Sequence, residues 1–150
     1  MIIDNKQFMR RFVEEVINKK NLDAVNELVA EDFVEHVPFP GQVPGREGLR
    51  HVLSTFLSAF PDIQWILEEQ IAEGEKVVSR FTMTGTHRGE FLGIHPTGKS
   101  VKVWGVVIDA VRDGRFAESR IIMDTLGLMQ QLGTIPSEGE GAQQKILATK

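Results

Sequence analysis

The chain has 150 residues, 41% of them hydrophobic and 25% charged, with a formal net charge of −4 and no cysteine. That is long enough for one domain with a core of its own, and an acidic balance argues against nucleic acid as a partner. Without cysteine there is no disulfide, no thiolate nucleophile and no Cys-type zinc site, and no apolar run approaches the roughly 18 residues of a membrane span.

The N-terminus, MIIDNKQFMRR, lacks the apolar stretch of a signal peptide, so a cytoplasmic protein is expected. The first helix carries Phe8, Met9, Phe12, Val13, Val16 and Ile17 on one stripe of helical period. A second, shorter helix is predicted over about Asp23–Val29, with Val25, Leu28 and Val29 inward. DFVEHVP then reads as a short extended piece ended by proline, and FPGQVPG as a loop. A third helix runs from about Arg46, with Leu49, Val52, Leu53, Phe56, Leu57 and Phe60 apolar, until Pro61-Asp62 stops it. His51 lies off that stripe.

Beyond Pro61 the period changes to two. Strands are predicted at Ile63–Ala72, Lys76–Thr86, Ser100–Val111 and Arg115–Met123, with hairpin turns at EGEK and RDGR. The long connection HRGEFLGIHPTG between the middle strands has a length that is often functional. TLGLMQQLG is a closing helix. From Pro136 on, no period is visible and a mobile tail is expected. The chain therefore reads as a single domain over residues 1–135 plus a tail over 136–150. Helices followed by a curved antiparallel sheet make an α+β domain, an open cone whose mouth suits a small molecule.

FPGQVPGREG, IAEGEKVVSRFTMTGTHRGEFLGIHPTGKSV, VRDGRFAE and DTLGLMQQLG resemble the SnoaL-like polyketide cyclases of the NTF2-like fold group, over about residues 5–134. The resemblance implies a cone fold, a deep apolar pocket, a homodimer, and no metal or organic cofactor. It also implies ring closure by an intramolecular aldol step. It places the acid/base aspartate at the position of Ile121 and an active-site histidine at that of Val107, both aliphatic here.

Such a reaction needs a base for an acidic C–H proton and donors for the enolate. The Asp113-Gly114 turn suggests that Asp109 opposes Glu118 and Val107 opposes Arg120. Asp109, Glu118 and Arg120 would then share one sheet face, either a pocket with two acids and an arginine or an outer ion-pair cluster. The other face would carry Trp104, Val106, Ile108, Ile121 and Met123. His36 matches a position that often reaches the pocket in the family, or is a core histidine. His87 ends GTH at the strand–loop junction, where it can tie the loop down. His95 should be exposed. The histidine spacing suits no metal. Phe91, Trp104, Ile121 and Met123 are candidate pocket walls. Asp124 precedes the closing helix and is a preferred N-cap, with a second role at the pocket rim.

The catalytic candidates are thus Asp124, His36 and Arg120, and the ligand-binding candidates Trp104, His87, Phe91, Ile121 and Met123. The expected function is binding of a small, largely apolar, polyketide-like or polycyclic molecule, with cofactor-free cyclisation, isomerisation or dehydration. The alternative is a carrier that has lost the family's acid/base.

Overall fold

The structure, a computed structural model, describes residues 4–136. The expected tail falls, beyond Pro136, outside the described residues. Helix α1 (Asn5–Phe12) starts at Asp4, whose carboxylate accepts from the Lys6 and Gln7 N–H groups. It opens into a π turn over Val13–Asn18, with the Lys19 N–H bonded to the Glu14 carbonyl at 2.9 Å. The predicted apolar stripe of this helix is buried throughout.

The second helix is shifted by one residue from the expected span and is only partly α-helical. It consists of a 3-10 turn (Leu22–Ala24) and α2 (Val25–Leu28), and Val29 already begins strand β1 (Val29–Glu35). Helix α3 (Gly45–Ala59) follows, then β2 (Gln64–Glu73), β3 (Lys76–Thr86), β4 (Ser100–Arg112), β5 (Arg115–Met123) and α4 (Thr125–Leu132). The five strands form one curved sheet in the order β1-β5-β4-β3-β2. β1 joins β5 in parallel, and the other three pairs are antiparallel.

The register of the β4–β5 hairpin differs from the expected one. Arg112 opposes Arg115 and Val111 opposes Phe116, but Ala110 then opposes Glu118, leaving Ala117 as an extra residue. From that bulge on, Asp109 opposes Ser119, Ile108 opposes Arg120 and Val107 opposes Ile121. Every β5 side chain from Glu118 to Met123 therefore lies on the face opposite to the one predicted. Asp109 looks inward, and Glu118 and Arg120 look outward.

Two glycines permit close approaches. A Cβ on Gly105 would lie 2.6 Å from the Phe81 ring, so the missing side chain lets that ring lie over β4. Gly133 closes α4 in the left-handed region at φ 85°. The start of α4 is held by Asp124, whose Oδ1 accepts from the Gly127 N–H at 2.9 Å. Replacing Asp124 by Ala should lower stability by about 0.5–2 kcal/mol, and Asn should recover most of it. Thermal unfolding of the two variants checks this; an Ala variant as stable as the parent would refute the capping role.

Candidate functional site

Between α1, its π turn, α3 and the inner sheet face lies a cavity of about 320 Å³, the lower end of the range for small-molecule sites. Its walls are mostly aliphatic and aromatic. Leu49, Val52, Leu53, Phe56 and Leu57 of α3 are only half-buried, because this apolar face looks into the cavity rather than into packed core. Phe56 packs on Phe39 (5.4 Å between ring centroids) and on Phe91 (5.2 Å), and Phe91 on Phe60 (5.5 Å). Trp65 forms another wall, stacked on Phe81 at 3.8 Å and 5°. Its backbone is pinned by the Asn18 side chain, which accepts from the Trp65 N–H at 2.7 Å and donates to its carbonyl at 3.0 Å. The exposed rim includes Val37 and Leu92.

Four polar side chains interrupt this lining on the sheet side: Ser79 on β3, Asp109 on β4, Ser119 on β5 and Glu35 at the end of β1. The ladder brings them together, since Asp109 opposes Ser119, Ser119 pairs with Glu35, and Ser79 opposes Val107, the inward residue before Asp109. Asp109 is 2% exposed, and its Oδ1 has no hydrogen-bond partner. Burial pushes its carboxyl well above the ordinary range; the Ser119 hydroxyl opposes that shift and the nearby Glu35 charge adds to it. Glu35 is half-buried and is also raised, mainly by desolvation. The Val37 N–H, 3.0 Å from Oε2, together with Ser119 and the Ile121 N–H, holds it back. The two acids thus differ: Asp109 keeps a proton more tightly, and Glu35 ionises more readily. No lysine, arginine or histidine lines the cavity among the described residues.

Phe91, Ile121 and Met123 line the cavity. The other candidates lie elsewhere. Trp104 is 55% exposed on the outer face, so Trp65, and not Trp104, is the cavity's tryptophan. Arg120 is exposed on the same outer face, moved there by the bulge. His36 follows the inward Glu35 and therefore points outward, its Nε2 2.7 Å from Glu118. Glu118 also meets Arg112 at 2.7 Å, and Arg112 first, then His36, pulls its carboxyl down to about 2. His87 is fully buried outside the lining; its Nδ1 accepts from the Thr97 N–H at 3.1 Å and ties down the loop that carries Phe91. Asp124 is exposed and engaged in its cap, between the lining residues Met123 and Thr125 but not itself in the lining. His51 and His95 are exposed.

Glu35, Ser79, Ser119 and Trp65 were not singled out by sequence reasoning. Strand alternation held the signal for one of them: Phe33 is an evident inward residue, which puts Glu35 inward and His36 outward. Among the described residues no group of three potential ligands is set to hold a metal, and no helix is long and apolar enough to cross a membrane.

A family model described as SnoaL-like polyketide cyclase matches residues 7–132. No curated protein matches the chain. Among solved structures, TsrD from Streptomyces laurentii is 29% identical with a TM-score of 0.80, the match covering 89% of this chain and 100% of that one. IdmH from Streptomyces antibioticus is 31% identical with a TM-score of 0.76, covering 87% and 99%. A SnoaL-like polyketide cyclase from Agrobacterium tumefaciens shares the fold at 16% identity and a TM-score of 0.74, covering 88% and 100%.

The buried carboxyl gives the site a pH signature. Burial in the fold raises the Asp109 pKa well above its ordinary value of 3.8, so its contribution to stability is full below that value and is lost as the pH climbs through the folded value. Asp109→Asn cannot ionise. Its stability should match the parent near about pH 4 and exceed it by roughly 1–3 kcal/mol near about pH 9, the scale for a buried polar group left without a partner. Urea melts across this range test the point; a gap that stays closed or opens the other way would contradict it.

Proposed function

Because the chain belongs to the SnoaL-like polyketide cyclase family, we propose that its cavity takes a small, largely apolar, polyketide-like or polycyclic molecule and that Glu35 and Asp109 carry out proton transfer on it. The observation that carries this reading is the position of the acids. Val107 and Ile121, at the places where the resemblance puts the family's histidine and aspartate, face each other across the ladder inside the cavity. One inward step along the same ladder, about 7 Å away, stand Asp109 and Ser119, with Glu35 beside Ser119. The acid function has moved along the strands instead of vanishing.

The chemistry follows from the unequal pair. Two carboxyls whose surroundings push their pKa values apart divide into a base and a donor. Desolvation makes Glu35 a stronger base than a solvated carboxylate. It takes a C–H proton next to a substrate carbonyl, and the C–H electrons pass into an enolate. The Asp109 carboxyl, kept neutral by burial, donates a hydrogen bond to the enolate oxygen. The enolate carbon then bonds to an internal carbonyl, whose oxygen takes the proton back (cyclisation); or a conjugated enolate takes it at a different carbon (isomerisation); or the enolate expels a β-hydroxyl, which leaves with the proton as water (dehydration). Glu35 returns the proton in each case. A base and a donor suffice, so the step needs no cofactor.

The outer sheet face supports a homodimer. Ile66, Trp104, Ile108 and Ile122 are exposed on it, and such an apolar area suits a subunit contact. Light scattering should give twice the chain mass, and Trp104→Glu should shift it towards the single-chain value; a single-chain mass for the parent at micromolar concentrations would remove the dimer.

The proton-transfer reading is tested with an enolisable polycyclic diketone in D2O, following loss of the α-proton signal by NMR. The parent should speed exchange, and Glu35→Gln should slow it by about 10²–10⁴-fold, the usual span for a lost general base, while ligand binding still raises the melting temperature. Binding without any exchange in the parent would favour the carrier alternative.

A further inference from the structure

The cavity has a charge preference as well as a shape. Its two titratable lining groups are both acids, and no cationic side chain faces them among the described residues. Ser79 faces them from β3 and Ser119 from β5, and the α1 helix and its π turn contribute Met9, Phe12, Val13 and Val16. The nearest histidine, His36, engages Glu118 on the outer face. An ionised Asp109 carboxylate has only the Ser119 hydroxyl and no opposite charge to hold it, while Glu35 has backbone N–H groups and the outward His36 as its sole positive neighbour. Asp109 additionally presents a fully buried oxygen with no donor.

From this geometry we infer that the cavity binds lipophilic amines in their protonated form, the ammonium meeting Glu35 and Asp109 and the apolar body filling the space below α3. The inference rests on the cavity being the ligand site. An N–H donor would complete the Asp109 oxygen, and the positive charge would stabilise the ionised forms of both acids, so Asp109 gives up its proton on binding. A ligand seated in this way occupies the proposed base, and amines of this class would therefore inhibit proton transfer. An anionic ligand of the same shape is repelled, because it would bring a further negative charge to a site that already disfavours two.

The test uses three matched probes: a tricyclic aromatic bearing a dimethylaminopropyl chain, its uncharged isostere with CH in place of nitrogen, and the corresponding carboxylic acid. Calorimetry at about pH 7 should show the amine binding at least about tenfold more tightly than the isostere, with the acid weakest. Its binding enthalpy should vary with the ionisation enthalpy of the buffer, reporting the released proton. The preference should collapse in Glu35→Gln/Asp109→Asn. It should also collapse in the parent near about pH 4, a measurement that holds even if the double variant fails to fold. If the isostere binds as tightly as the amine, or the preference survives loss of both acids, the charge inference fails and the cavity reading stands. If none of the three binds, both fail.

Discussion

One extra residue in β5 decides what the cavity contains. Without Ala117 bulging out of the ladder, Asp109 would face Glu118 directly, and two carboxyls side by side on one face repel. The bulge replaces Glu118 by Ser119, whose hydroxyl favours the charged forms of both Asp109 and Glu35. The same shift sends Glu118 outward to Arg112 and His36. It also turns Ile121 and Met123 into the cavity. A sheet has period two, so a one-residue insertion exchanges whole faces.

The polar row that results is held by its surroundings more than by bonds of its own. Ser79, Asp109 and Ser119 are buried on the inner face of the sheet, beneath the apolar side of the first helix. Burial raises the affinity of Asp109 for its proton well above the ordinary range, and it raises that of half-buried Glu35 too, there opposed by the Val37 N–H, the Ser119 hydroxyl and the Ile121 N–H. A functional site commonly keeps one such unmet group where a structural core would not.

The walls divide into a fixed side and a loop side. On the fixed side, Asn18 locks the Trp65 backbone, Trp65 stacks on Phe81, and Gly105 leaves room for the Phe81 ring. On the loop side, Phe39 and Phe91 are delivered by connections rather than strands, and the buried ring of His87 anchors the second of these through Thr97. Part of the lining is thus set by the sheet and part by loops held at a few points.

The sequence alone determined the apolar stripe of α1, the four strands after Pro61, both hairpin turns and the Asp124 cap, because each follows from local periodicity or from a residue with a strong local preference. It also carried the family resemblance, and with it the cone. It did not determine the site. His36 and Arg120 looked chemical by residue type, but strand alternation after Phe33 turns His36 outward, and the bulge does the same for Arg120. Trp104 and Trp65 both fall in plausible strands, and the register with β3 separates them: Trp65 opposes the inward Met83, whereas Trp104 opposes Thr82, the next residue, on the outer face. Glu35 and Asp109 stand 74 positions apart in sequence and meet because β1 joins β5 in parallel while β4 lies on its other side. Long-range pairing of this kind leaves no local signal, so the tertiary structure alone placed the two acids together.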